Sequence, residues 1–372
     1  MHTHALPDFP WDTLAGAAAL ARSHPGGIVD LSVGTPVDPS PAVVRAALEA
    51  ASDAPGYPTT HGTPALREAV ATWFARRRGV PGLDPAAVLP TVGSKELVAL
   101  LPGLLGLGPG AVVVHPRVAY PTYDVGARLA GATPVPADAT SAVGPGRVDL
   151  VWLNSPSNPT GAVLGVEHLA KVVAWARERG AVVASDECYA ELAWDGAPVP
   201  SILDPRVCGG SHEGLLAVYS LSKQSNLAGY RAAFVAGDPA LVARLLEVRK
   251  HAGLIMPMPV QAAMTAALGD DDHVAEQRSR YGRRREALLT ATAAAGLVHD
   301  GGGAGLYLWL RAASGDVPTD RLVDALARRG VLVAPGTFYG AAGAGHVRMA
   351  LTASDERVAA AVDRLAAGPL VA

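Results

Sequence analysis

The strongest constraint is a series of short apolar runs in the middle of the chain. They lie within AVVVHP, RVDLVWLN, AVVASD and LLAVYS, and each gives way to polar or turn-forming residues. Runs this short and this apolar read as buried strands. A helical stretch, VEHLAKVVAWARERG, leads into AVVASD. In sheets of parallel strands, ligands collect beyond the carboxyl ends. The residues after these runs, Asn-Pro-Thr-Gly, Ser-Asp-Glu-Cys-Tyr and Ser-Leu-Ser-Lys, therefore mark where chemistry should be sought.

With 372 residues, 49% of them hydrophobic, the chain can bury a large core in two domains or in one large domain with a satellite. A net charge of −3 with no block of like charges argues against nucleic acid and anionic membrane as partners and favours small substrates. Two cysteines, Cys188 and Cys208, make neither a disulfide framework nor a metal cluster, so no metal is expected. The start, MHTHALPDFPW, has no basic region followed by an apolar core, and no eighteen-residue apolar run occurs. A cytoplasmic location without a membrane span is the expectation.

Several segments place candidate residues. WDTLAGAAALARS reads as an N-terminal helix ended by His-Pro-Gly-Gly, and IVDLSVGTPVDPS as a short strand opening into a loop at Val33-Gly34. Gly34 is there either a plain turn glycine or a place where the missing side chain admits a ligand carboxylate. After the helix PAVVRAALEAAS comes a loop with Tyr57 and His61, then a helix begun by Pro64. AVLPTVGSKELVALLPGLLG reads as strand, Gly93-Ser94-Lys95 turn and helix, whose N-terminus offers free N–H groups to an anion. Gly106-Leu107-Gly108-Pro109-Gly110 precedes a strand instead of following one and is no dinucleotide fingerprint. Beyond Arg231 come a strand, AAFVAGD, and a helix, PALVARLLEVRKHAG, which must stop by Met-Pro-Met-Pro. One long helical region from Val260 to about Ala295 then leads to an α+β layer over 296–372, with strands GLYLWL, VLVAPG and HVRMAL.

SLSKQSNLAGYR, from Ser220 to Arg231, sets hydroxyls, one lysine and one arginine at fixed offsets where LLAVYS ends. That pattern suggests a lysine amine held as a Schiff base, with Ser220, Ser222 and Arg231 around a phosphate. The segment resembles the cofactor-lysine segment of the class I/II pyridoxal-phosphate (PLP) aminotransferases of fold type I. Matching pieces occur in the family's order from about Leu31 to Arg348. The resemblance implies an α/β, aspartate aminotransferase-like fold. A mixed, mostly parallel seven-stranded sheet would sit in a large domain, residues 46–264, with a small α+β domain built from 1–45 and 265–372.

The resemblance also implies roles. Lys223 is the PLP anchor and the catalytic acid/base; Ser220, Ser222 and Arg231 hold the phosphate with Gly93, Ser94 and Lys95. Tyr120 stacks on the pyridine, although an aromatic there alone also reads as core. Asn158 and Tyr189 donate to the phenolic oxygen, and Asp186 pairs with the ring nitrogen. Tyr57 reaches the phosphate of a neighbouring subunit, implying a homodimer with shared sites. Val33, Gly34 and Asn158 line the substrate site, and Arg348 clamps the α-carboxylate bidentately; its strand by itself also allows a solvated edge arginine. His61 is read as packing the loop, and Cys188 as packed.

The expected reaction is transamination between amino acids and 2-oxo acids such as glutamate and 2-oxoglutarate. LPDFPWDTLA, VDLSVGTPVDP, THGTPALREA and the Met-Pro-Met-Pro-Val-Gln run look like the actinobacterial N-succinyldiaminopimelate aminotransferases of lysine biosynthesis. Aromatic or dicarboxylic amino-acid transamination comes second. A PLP-binding regulator is remote, since too few residues precede the site for a DNA-binding domain. Gln224 departs from the basic residue expected after the lysine, and Lys95 and Arg117 are the candidates for a remote carboxylate.

Overall fold

In the computed structural model, which describes residues 6–196 and 198–370, the apolar runs become strands of one sheet. Among these residues the strands are β1 (Val29–Asp30), β2 (Val88–Val92), β3 (Val112–His115), β4 (Thr133–Pro136), β5 (Leu150–Asn154), β6 (Val182–Asp186) and β7 (Leu215–Ser220). They continue with β8 (Ala232–Gly237), β9 (Leu297–His299), β10 (Tyr307–Ala312), β11 (Val331–Leu332), β12 (Ala334–Pro335) and β13 (His346–Ala350). Seven of them form a sheet in the order β2-β8-β7-β6-β5-β3-β4. Only β8 in it runs antiparallel to its neighbours.

The apolar runs lack a polar alternate face because both faces are covered. Along β5, Leu150 and Trp152 enter one hydrophobic core while Val151 and Leu153 enter the other. Along β7, Leu216 and Val218 point one way and Leu215, Ala217 and Tyr219 the other. Register then aligns the functional edge. Asn154 sits beside Asp186, Ser220 beside Ala233, and Val92 beside Ala232, so the residues that follow β2, β5, β6 and β7, and those that precede β8, emerge along one edge.

The second layer is a four-stranded antiparallel sheet, β12-β13-β10-β9, over its own core of Leu306, Leu308, Leu310, Val347 and Met349. β1 pairs in parallel with β11, which carries residues 29–34 to the edge of the large sheet. On β13, Arg348 lies between Trp309 and Ala334 and is buried. The solvated edge arginine is thereby ruled out.

The long helical region expected from Val260 to about Ala295 consists of two helices, Met258–Gly269 and Asp272–Ala294. At the break Asp270 accepts the N–H of Asp272 at 3.0 Å, an aspartate bonding local backbone in place of a helical turn. The preceding helix, Pro239–Ala252, already ends at Gly253 with φ 68°, and Pro257 and Pro259 start the next helix rather than stop the last. The helix Pro64–Arg78 is capped without a capping glutamate, as Thr63 Oγ1 accepts the N–H of Leu66 at 3.2 Å. No helix among the described residues is long and apolar enough to cross a membrane.

Candidate active site

Where the carboxyl edge of the large sheet meets the small sheet there is a cavity of about 480 Å³. Val33, Gly34, Ser94, Lys95, Tyr120, Asn158, Asp186, Tyr189, Ser220, Ser222, Lys223, Arg231 and Arg348 all line it. Val33 and Arg348, 315 positions apart in sequence, meet there because β1 and β13 flank the edge.

Lys223 stands in the one-turn helix Leu221–Gln224 that opens where β7 ends. Ser220 Oγ accepts the N–H of Ser222 at 3.2 Å and donates to Ser222 Oγ at 2.8 Å, so the two hydroxyls lock the turn. Lys223 Nζ donates to the carbonyl of Gly34. Burial pushes the Lys223 ammonium below its ordinary value, and nearby Arg348 and Arg231 add to this against the opposing pull of Tyr307. Gln224 is buried outside the cavity, accepting the Tyr219 hydroxyl at 2.5 Å and donating to Ser225 at 3.2 Å. Its departure from a basic residue therefore concerns packing under the loop.

Beside the lysine, Gly93 has φ 82°, and a Cβ there would lie 2.1 Å from an Arg231 guanidinium nitrogen. Only glycine leaves room for Arg231, itself at φ 55° with its guanidinium donating to Ala228 O at 2.9 Å. The helix Ser94–Leu104 begins at this point, without a side-chain cap, so its first N–H groups lack intrahelical partners. Lys95 is exposed, with Nζ 5.3 Å from the centre of the Phe9 ring.

Asp186 is buried at the end of β6, where Oδ2 accepts the Tyr123 hydroxyl at 2.9 Å and Oδ1 the Cys188 N–H at 3.2 Å. Burial raises its pKa, with the bonds from Cys188 and Tyr123 opposing. Among the described residues no lysine or arginine forms an ion pair with it. Burial also pushes the Tyr120 phenol up to about 12. Cys188 is buried, its thiol pushed well up by burial, consistent with a packed side chain.

On the other wall, the Arg348 guanidinium donates to Asn158 Oδ1 at 3.0 Å and to the Ser32 carbonyl at 2.7 Å. Its Nε is buried with no hydrogen-bond partner among the described residues. Asn158 is held by its own N–H, which donates to Asn154 Oδ1 at 2.7 Å. A Cβ on Gly34 would lie 2.3 Å from the Tyr307 hydroxyl oxygen, so Gly34 is more than a plain turn glycine. Among the lining residues that went unnoticed in the sequence are Tyr123, Tyr307, Phe9 and Trp11. In GLYLWL the tyrosine is indistinguishable from a core position, while Phe9 and Trp11 belong to a Pro-rich stretch with no motif.

Three candidates lie elsewhere. Arg117 lines a different cavity, of about 540 Å³, with His115 and Phe338, so it is not brought to Lys223. His61 bonds Ala86 O at 3.1 Å, as a loop-packing residue would. Tyr57 is fully exposed in the single chain, so it is not an ordinary half-buried aromatic. A further cavity of about 310 Å³, between Trp152 and Trp175, shares Asn154 with the first and lacks a lysine.

A family model described as aminotransferase class I and II matches residues 27–365. This chain is a class I/II aminotransferase. A probable aminotransferase of Mycobacterium tuberculosis is 63% identical to it, over 97% of this chain and 85% of that protein. The 4-dedimethylamino-4-oxo-anhydrotetracycline transaminase of Streptomyces rimosus is 59% identical, over 97% and 99%. Among solved structures, a probable N-succinyldiaminopimelate aminotransferase from Thermus thermophilus matches with a TM-score of 0.86 at 31% identity, covering 96% of this chain and 99% of that one. The aminotransferase has the aspartate aminotransferase-like α/β fold and uses PLP with amino-acid and 2-oxo-acid substrates. Its residues fit that cofactor. Gly93 leaves a cradle under Arg231 for a phosphate, Asp186 is a buried carboxylate suited to a ring cation, and Lys223, with a depressed pKa, lines the same cavity as both Arg231 and Asp186.

Proposed function

We propose that this aminotransferase moves the amino group between N-succinyl-LL-diaminopimelate and 2-oxoglutarate, in diaminopimelate and lysine biosynthesis in the cytoplasm. The observation that carries the reading is a cation in the cavity beyond Lys223, Arg231 and Arg348, which already have tasks. Lys95 lines the same space as Arg348, and it is set over the Phe9 ring, with no carboxylate paired to it among the described residues. A substrate with one carboxylate beside the reacting carbon and another far from it meets a cation for each, the buried Arg348 for the first and the exposed Lys95 for the second.

PLP supplies the electron sink that makes the substrate α-proton removable. Lys223 would hold the cofactor and, once its amine is free, would move the proton between the substrate α-carbon and the cofactor; the lowering of its pKa by burial favours the uncharged amine that a base requires. Gly34 O steadies the amine in that interval. Ser220, Ser222, Arg231, Gly93 and Ser94 hold the phosphate, Asp186 holds the ring nitrogen, and Tyr120 packs on the ring. Asn158 and Tyr189 hold the phenolic oxygen. Arg348 holds the α-carboxylate through the nitrogens now turned to Asn158 and Ser32, in a wall completed by Val33 and Gly34. Full exposure of Tyr57 supports a homodimer in which it reaches the partner's phosphate site. Separate cores for the two sheets support the division into 46–264 against 1–45 with 265–372.

A second reading is favoured by the 59% identity to the tetracycline-pathway transaminase, and Phe9 and Trp11 suit a flat polycyclic acceptor. Rates with glutamate as donor decide between them. The first reading expects the highest kcat/KM on the N-succinyldiaminopimelate pair, with aspartate and phenylalanine lower by at least about tenfold, the size of one lost contact. Higher kcat/KM on a 4-oxo-anhydrotetracycline selects the second, and on aspartate or an aromatic amino acid rejects both.

A further inference from the structure

Tyr307, on β10, joins the groups assigned to three tasks. Its hydroxyl oxygen lies 3.2 Å from that of Tyr189, and the Arg348 guanidinium carbon is 3.8 Å from the centre of its ring. It also packs against Gly34, the residue whose carbonyl accepts from Lys223 Nζ. We propose that Tyr307 is a positioning residue of the transamination, whose hydroxyl acts through Tyr189 on the cofactor's phenolic oxygen and whose ring fixes Arg348 for the substrate carboxylate. The proposal rests on the PLP reading of Lys223 and Tyr189.

The two phenols sit in different surroundings. Burial pushes the Tyr189 phenol well up. It also pushes Tyr307 up, but Arg348 and Lys223 outweigh it, so Tyr307 falls below its ordinary value. The other titratable groups facing Tyr307 are the phenols of Tyr120, Tyr281 and Tyr339. Either oxygen can donate across the 3.2 Å contact. With the Tyr189 proton given to the cofactor's phenolic oxygen, Tyr307 is left to donate to the Tyr189 oxygen, which strengthens Tyr189 as a donor. The ring's second task is separate, because a cation held against an aromatic face keeps its position when the hydroxyl is removed.

The test uses purified holoenzyme and the pH titration of the cofactor's visible band, which follows the proton on its link to Lys223. A donor on the phenolic oxygen favours loss of that proton, so weakening the donor raises the midpoint. Tyr307→Phe should raise it by about 0.4 to 1 pH unit, the shift that one neutral hydrogen bond corresponds to. Its kcat should fall several-fold with KM for the amino acid held within about twofold. Tyr189→Phe/Tyr307→Phe should titrate like Tyr189→Phe alone, since Tyr307 works through Tyr189. Tyr307→Leu should also raise KM, by about tenfold. A Tyr307→Phe midpoint equal to the parent's, or summed shifts in the double variant, would overturn the proposal. A parent without a visible band would instead remove the PLP reading beneath it.

Discussion

Tyr123 donates its hydroxyl to Asp186 Oδ2 at 2.9 Å, and both side chains are buried. The tyrosine ring stacks on Trp152, 5.0 Å between centres, so the hydroxyl is aimed by packing rather than by chance. Tyr123→Phe keeps the stack and removes one of the bonds that oppose the burial-driven rise in the Asp186 pKa. A less readily ionised Asp186 holds a ring cation less well. We expect PLP affinity to fall about three- to tenfold, the worth of one ordinary hydrogen bond, measured by fluorescence titration of the cofactor-free protein.

Asp186 also sets a pH dependence for the cofactor-free chain. Its folded pKa is raised, so its contribution to stability is complete below the unfolded carboxyl value, about 3.9, and is lost as pH rises through the folded value. Asp186→Asn cannot ionise. Its melting temperature should gain on the parent's as pH rises above about 4 and then level off; a difference that shrinks with rising pH would reverse the sign.

Gly93→Ala places a methyl 2.1 Å from an Arg231 guanidinium nitrogen at a backbone φ of 82°. The arginine must move or the turn must change. We expect a folded protein whose PLP dissociation constant is at least about tenfold higher, the arithmetic of losing roughly one charge-assisted bond. Unchanged retention on dialysis would mean that Arg231 does not bear on the cofactor.

Much of this was legible before the structure because it is local. A strand buried on both faces has no polar alternate positions, so β5, β6 and β7 announce themselves, and the lysine, serines and arginine between Ser220 and Arg231 lie within twelve residues. Tyr123 and Tyr307 were not legible. Each acquires meaning only from partners 63 and 118 positions away, Asp186 and Tyr189. The break after Gly269 was hidden for a related reason, because the helical pattern continues on both sides and two aspartates decide the issue by bonding their own backbone. Arg117 misled because charge is visible in a sequence and cavity membership is not.

Tyr57 tests the shared site. Its exposed side chain predicts that Tyr57→Phe leaves the melting temperature of the cofactor-free protein within about 1 °C of the parent's, as surface changes do, while PLP retention weakens. Mixing Tyr57→Ala and Lys223→Ala subunits should restore activity that neither has alone, because each hybrid dimer holds one intact site. No recovery in mixtures shown to exchange subunits would place Tyr57 outside the partner's site.

The most direct measurement of the central claim is borohydride reduction of the purified holoenzyme followed by peptide mass spectrometry. The chain has four lysines, Lys95, Lys171, Lys223 and Lys250, so the site of attachment is unambiguous. The reduced phosphopyridoxyl mass is predicted on the peptide containing Lys223, with Lys223→Ala losing the label and turnover together. Label on another lysine, or turnover in Lys223→Ala equal to the parent's, would contradict the assignment.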